Sequence, residues 1–355
     1  MAQVRPHVAP PLNAQMEAQC KEAAALVKKI ASIHAALSKL PPLSPSSDAD
    51  ALFTTLVAAC VTSSPAVNVT SLGPEAGRMR DDLVRLCADA EARLEAQCAD
   101  ALAALDGDPL DHLGRLFPFY DSYARLAELE HALLSRHAPD HLSVPARVAF
   151  LGSGSLPLSP LLVAARHMTD AAVDCYDRCA AANDRASRLL LRPRADDDEK
   201  RGGLAERMSF RTADVEDLTR DLAAYDVVLL AAPVGVSPGQ KARVVAHLGE
   251  HMADGAVHVA RSAHGARGFL CAVLEPADVA RGGFQVLAVH HPDDRQVINS
   301  IIVARKVAAV GGLSQLAPPV LSPPCKCWEP KTPRRRLLPT TCHLDAMNEI
   351  RRRAW

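Results

Sequence analysis

Three groups of residues in this chain have the types and spacing for chemistry. The first is Gly152-Ser153-Gly154 in the run RVAFLGSGSLP at 147–157. An apolar run, Val148 to Leu151, stops at these glycines, and apolar residues at helical spacing follow through Leu161, Leu162, Ala165 and Met168. Strand, glycine turn and helix together let a backbone approach a bound nucleotide where a Cβ would clash. A dinucleotide fingerprint needs a third glycine three positions after the second; Pro157 stands there, which disfavours a pyrophosphate. An acidic group for ribose hydroxyls belongs at the end of the next apolar run, and Asp177 closes Ala171 to Tyr176, about 25 residues after the first glycine. A nucleoside without pyrophosphate points to S-adenosylmethionine. The ends of the third and fourth strands add Thr212, Ala213 and Asp214, with Asp214 toward the adenine amino group, and Ala231 and Ala232. Asp177 and Asp214 are equally suited to capping helices, and both readings stay open.

The second group is Glu91, in the helical run LCADAEARLE, with Tyr120 and Tyr123 in FPFYDSY. The chain has only four tyrosines, and two of them stand three apart on one helical face. Glu91 is either a solvated helix carboxylate or, beneath a helical lid over a nucleotide pocket, a base for an incoming amine. The third group, RSAHGAR at 261–267, places Arg261 and His264 after the fifth strand. A guanidinium fork there suits a carboxylate-bearing substrate, and a basic surface loop is the other reading. Cys325, Cys327, Cys342 and His343 do not have the spacing of a standard zinc finger, so no metal site is expected.

The elements that must position these groups fall into two patterns. Residues 1–12, rich in proline, are expected to be disordered. Helical periodicity runs through 13–140: a first helix at 13–40, a second from the Ser47-Asp48 cap to about Cys60, a third over 75–105 and a fourth over 120–137. From 141 to 306 strands alternate with helices, the strands at 147–151, 171–176, 208–213, 226–231, 256–260, 284–290 and 297–305. The last two apolar runs are separated by little more than HPDDRQ, too short for a crossover helix, so that pair is antiparallel. The fold class is therefore α/β: a Rossmann-like class I S-adenosylmethionine-binding sheet with an N-terminal helical-bundle domain. The charged and glycine-rich stretch at 194–203 reads as a solvated loop, and the tail at 307–355 as loosely ordered.

Lys+Arg of 40 against Asp+Glu of 41 leaves nothing that advertises a nucleic-acid partner. No apolar run approaches the length of a membrane span, and the ten cysteines form no disulfide framework. A protein of the cytoplasm with mostly buried free thiols is expected. The sequence leaves homo-oligomerisation open.

Several runs together resemble the nicotianamine synthase family, particularly its plant members: MRDDLVRLCADAEARLE, PLDHLGRLFPFYDSYARLAELE, VAFLGSGSLPLS, YDVVLLAA, RSAHGARGFL and VHHPDDRQVINSIIVARK. They cover most of residues 50–306 in order. The resemblance implies that three S-adenosylmethionine molecules are condensed by aminocarboxypropyl transfer, with methylthioadenosine leaving each time and an azetidine ring closing. It implies a product that chelates iron, zinc and copper, and no cofactor beyond the substrate itself. It also implies a glutamate and a tyrosine that take the proton of the attacking amine. These match Glu91 and either Tyr120 or Tyr123. The chain departs from the family pattern at Ser155, where proline is usual, at Cys179, which replaces an aspartate, and at Pro233. An S-adenosylmethionine-dependent small-molecule methyltransferase and a non-catalytic relative are the competing readings.

Overall fold

The computed structural model describes residues 12–40, 47–62, 69, 73–106, 108–142, 146–190, 203–293 and 295–308. The expectations for residues 1–11, for most of 194–203, and for the tail with Cys325, Cys327, Cys342 and His343 lie outside them.

Five helices come first: α1 (Leu12–Leu37), α2 (Ser47–Thr62), α3 (Pro74–Ala103), α4 (Leu113–Leu116) and α5 (Tyr120–His137). Pro74 opens α3, where its missing N–H is lost to no hydrogen bond, and the helix buries Leu83, Val84, Cys98, Ala99 and Leu102 on one stripe. Leu26, Ile30 and Ile33 of α1 meet Leu56 and Cys60 of α2 and Leu83 of α3 in one apolar cluster. Among the described residues the first strand comes only after these helices.

The sheet has seven strands in the order β3-β2-β1-β4-β5-β7-β6. They are β1 (Arg147–Leu151), β2 (Ala172–Asp177), β3 (Met208–Thr212), β4 (Val227–Leu230), β5 (Val257–Ser262), β6 (Phe284–His290) and β7 (Ser300–Lys306). The first five are parallel, while β7 runs antiparallel to both β5 and β6. The central strands are apolar on both faces because helices cover both. Val148, Val173, Val227 and Val257 are all fully buried, each contributing about 1.5–3 kcal/mol relative to exposure. β7 starts at Ser300, later than the expected 297, and Val297 lies before it as a fully buried member of the core.

The connections are α6 (Leu158–Leu162), continued by a π turn over Val163–His167, then α7 (Ala180–Leu190), α8 (Leu204–Arg207), α9 (Pro238–His251) and α10 (Pro276–Arg281). Strand order reverses between β1 and β4, so the crevice at their carboxyl ends is where this architecture holds a ligand. The helical part covers that crevice: α5 packs on α6, and α3 packs on α7.

Candidate active site

The glycine turn follows β1 at the point of strand reversal. Gly152 and Ser153 donate their N–H groups to the Tyr176 carbonyl at 2.8 and 3.1 Å, and Gly154 donates to Asp177 Oδ2 at 3.0 Å. Asp177 Oδ1 accepts from Cys179 N at 2.8 Å. Asp177 therefore ties the glycine turn to the loop after β2, and the carboxylate keeps lone pairs for a ribose. Ser153 Oγ is buried without a protein hydrogen-bond partner, and a polar atom in that state calls for one from a ligand or water. Gly154 has φ of +70°, and a Cβ there would lie 2.1 Å from Glu95 Oε2. Only glycine lets the α3 carboxylate rest directly on the turn.

α3 presents two carboxylates on that side, Glu91 and Glu95, one helical turn apart. Glu95 accepts backbone hydrogen bonds from Ser155 and Leu156. The N–H of Ser155 is a donor that a proline at this position would lack. Glu91 Oε1 accepts a hydrogen bond from Tyr123 Oη, reaching across from α5. Burial raises the Glu91 carboxyl above its ordinary range, opposed by the Tyr123 hydrogen bond and the Arg261 charge. Glu95 is raised well above its range, first by burial and then by the neighbouring Glu91 charge. Tyr123 is held well above the usual phenol value by burial and by Glu91, so it stays a donor. The ring of Tyr123 packs edge-on to Phe117 at 5.6 Å.

The structure thus separates the two tyrosines left open by the sequence. Tyr123 meets Glu91, whereas Tyr120 Oη accepts from Arg166 Nη2 at 2.6 Å, away from that carboxylate.

Arg261 stands otherwise than expected. It is 5% exposed, and its fork is filled from within: Nε and Nη2 donate to the two oxygens of Glu130 at 2.7 and 3.0 Å, and Nη2 also to Ser159 Oγ at 2.9 Å. The carboxylate that this guanidinium binds is the chain's own, on α5. Its charge still acts on the site, lying 6.0 Å from the centre of the Tyr123 ring. His264 is exposed and stacks on His291 at 4.0 Å. Asp214 caps the short turn after β3 by accepting from Glu216 N at 3.1 Å, which is the capping reading. Thr212 Oγ1 accepts from Asn183 Nδ2 at 2.9 Å, and Ala213 N donates to the Asp177 carbonyl at 3.2 Å. Ala231 sits against the glycine turn: a Cβ on Gly152 would be 3.3 Å from its own Cβ and 2.4 Å from Val234 Cγ2. Ala232 follows it as the acceptor of a buried lysine, Lys241.

Glu95, Glu130, Ser159 and Lys241 were not singled out from the sequence. For Glu95 the signal was present, since its spacing of four from Glu91 in LCADAEARLE puts both on one helical face. Among the described residues no group of three or more His, Cys, Asp and Glu side chains is arranged to hold a metal ion. None of the described helices is long and apolar enough to cross a membrane.

Residues 18–311 match the family model described as nicotianamine synthase protein. Nicotianamine synthase 2 of Oryza sativa subsp. japonica is 59% identical over 316 residues, covering 88% of this chain and 93% of that protein. Nicotianamine synthase 8 of Hordeum vulgare is 56% identical over 323 residues, covering 88% and 94%. In architecture, MtNAS in complex with MTA and tNA superposes with a TM-score of 0.60 at 19% identity, over 79% of this chain and 97% of that one. A glutamate-to-glutamine mutant of MtNAS in complex with S-adenosylmethionine gives 0.61 at 20%, over 79% and 98%. With the family model spanning most of its length and relatives well above half identical, this chain belongs to the nicotianamine synthase family.

Proposed function

We propose that this chain is a transferase that makes nicotianamine from S-adenosylmethionine, with Glu91 and Tyr123 handling the proton of the attacking amine. The observation that carries the assignment of roles is the hydrogen bond from Tyr123 to Glu91 between two helices that cover the ligand crevice. An ammonium has no lone pair, so the nucleophile must be deprotonated first. The freed amine attacks the methionine Cγ beside the sulfonium of a second molecule. The new N–C bond forms as the C–S bond breaks, both electrons go to sulfur, and methylthioadenosine leaves neutral. Glu91 takes the amine proton while Tyr123 keeps its carboxylate aimed. A carboxyl raised by burial is a better acceptor than one in water, so the environment of Glu91 suits the task.

Binding of the nucleoside falls to the glycine turn, with Asp177 at the ribose and the unpartnered Ser153 Oγ as a further contact. Glu91, Glu95 and Asp177 gather around this turn. A sulfonium and an ammonium bound beside them would draw the raised carboxyls of Glu91 and Glu95 back toward the ionised form, because an opposite charge close by favours it. The product's service to metal homeostasis and the cytoplasmic location belong to the same reading, which the likeness to plant synthases supports.

The test is incubation of the purified chain with S-adenosylmethionine alone, following methylthioadenosine, S-adenosylhomocysteine and nicotianamine by mass spectrometry. Methylthioadenosine with nicotianamine from the wild type, and their loss in Glu91→Gln, is the expected result. S-adenosylhomocysteine in place of methylthioadenosine would make the protein a methyltransferase instead.

A further inference from the structure

Lys241, near the start of α9, is fully buried, and among the described residues no carboxylate pairs with it. Its ammonium donates to the carbonyl of Ala232 at 2.7 Å and to that of Ala231 at 3.4 Å. These two peptide groups form the first step of the loop after β4. That loop is the wall facing the glycine turn: Ala231 N donates to Leu151 O at 3.0 Å, and Val234 N to Ala231 O at 3.3 Å. Val234 is pressed so closely on Gly152 that a Cβ there would meet it at 2.4 Å. An isolated ammonium out of water is costly, and burial pushes Lys241 down to about 8. Ala231 is buried and Ala232 half-buried, so their carbonyls need a partner from within the protein. Here they turn inward to a charge.

We infer that Lys241 is a positioning residue for substrate binding, its ammonium drawing the Ala231 and Ala232 carbonyls inward and so holding the β4 loop against the glycine turn. The inference rests on the reading of this crevice as the S-adenosylmethionine site. Lys241 acts through the loop and touches no reacting atom. Without it the loop keeps its sequence and loses its fixed distance from Gly152, so the nucleoside must order the wall as it binds. The loss then falls on affinity more than on turnover.

Lys241→Met keeps the length of the side chain and removes the charge; Lys241→Gln keeps an N–H donor without charge. Isothermal titration of the purified full-length proteins with S-adenosylmethionine is expected to show binding weakened about tenfold in Lys241→Met, the worth of one charge-assisted hydrogen bond, and less in Lys241→Gln. Both should give the wild-type circular dichroism spectrum, and KM should rise by a larger factor than kcat falls. Undiminished affinity in the folded variants would overturn the inference and leave the synthase reading standing. Absence of binding by the wild type would bring down both. Should neither variant fold, titration of the wild type with methylthioadenosine, which has no amino group, decides the matter between pH 7 and about 9.5. Cys271, Arg261 and His258 are the titratable and charged groups that interact with Lys241, and burial holds the imidazole of His258 down at about 4, outside this range. Affinity should fall as the ammonium is lost through about pH 8. A flat profile would overturn the inference.

Discussion

A carboxylate takes a proton from an amine only while it is itself ionised, and burial works against that state. Tyr123 counters burial at Glu91, and its removal should therefore harm catalysis as removal of the carboxylate does. Glu91→Gln is expected to lower the rate of methylthioadenosine release by about 10²-fold or more, in the range lost with a general base. Tyr123→Phe should come close to it, and the double variant should be little worse than the poorer single one, because the two act as one unit. Tyr120→Phe, which touches Arg166 instead, should stay within about threefold of the wild type, as a contact outside the reacting pair does. Glu95 makes a different prediction, on stability. Its folded carboxyl is raised, so the native state keeps the proton at pH values where the unfolded chain, near 4.3, has lost it. Stability from this group is present below about pH 4 and is lost as pH rises toward the folded value. Calorimetric melts should show a steeper fall in Tm from pH 5 to 8 for the wild type than for Glu95→Gln. A variant with the wild-type slope would show that Glu95 is not desolvated. At this scale Gly152, Gly154, Asp177 and Glu91 were legible because each has a local signature: a turn, a strand end, a helical face. Tyr123 was legible only as one of two, since residues three apart on a helix share a face and their partners decide between them.

Elements are joined across the site by the pair Arg261–Glu130, β5 to α5, with Ser159 at the start of α6 as the third member. Both charges are nearly inaccessible, at 6% and 1% side-chain exposure. In such a pair the cost of desolvation is offset only while both partners remain. Arg261→Leu should therefore destabilise the protein by about 3–5 kcal/mol by leaving Glu130 buried and alone, whereas Arg261→Leu with Glu130→Leu should recover most of that loss. Denaturant melts of the three proteins check this, and a double variant as unstable as the single one would defeat the argument. The double variant should nevertheless be a poorer enzyme, because the positive charge that opposes the burial of Glu91 and Tyr123 is gone. Strands and long helices were readable from their periodicity to within a few residues. The use of Arg261 was not: its partner lies 131 positions away in the chain, and nothing local says that the guanidinium is already filled. The late start of β7 escaped because Val297 is as apolar and as buried as Ile301 and Val303, which do pair in the ladder.

The whole molecule has a core that ignores the boundary expected near residue 140. Cys98, Leu102, Leu113, Leu116 and Leu126 of the helical part belong to the same buried cluster as Val148, Phe150, Val173 and Val259 of the sheet. A second cluster joins α1, α2 and α3 to Phe269 and Leu270, which follow β5. Composition and periodicity separate the two patterns because each is regular within itself; how closely their apolar faces interlock is a property of side chains meeting across long sequence separations. The site has the same dual origin, with the glycine turn and Asp177 from the sheet and Glu91, Glu95 and Tyr123 from the helices. Cooperative unfolding follows from a shared core, because neither part can open without exposing the apolar face of the other. Thermal unfolding of the full chain should therefore be a single transition, and S-adenosylmethionine should move the whole of it upward. Residues 146–308 expressed alone should show neither a sharp transition nor binding, since they retain the glycine turn and lose the helices that close over it. Two resolved transitions in the full chain, or tight binding by the isolated sheet, would mean that the helices are a separable cover and that affinity is built by the glycine turn alone. The carboxylates of α3 would then act only after the substrate is seated, and Glu95→Gln would leave affinity unchanged while Glu91→Gln slowed turnover.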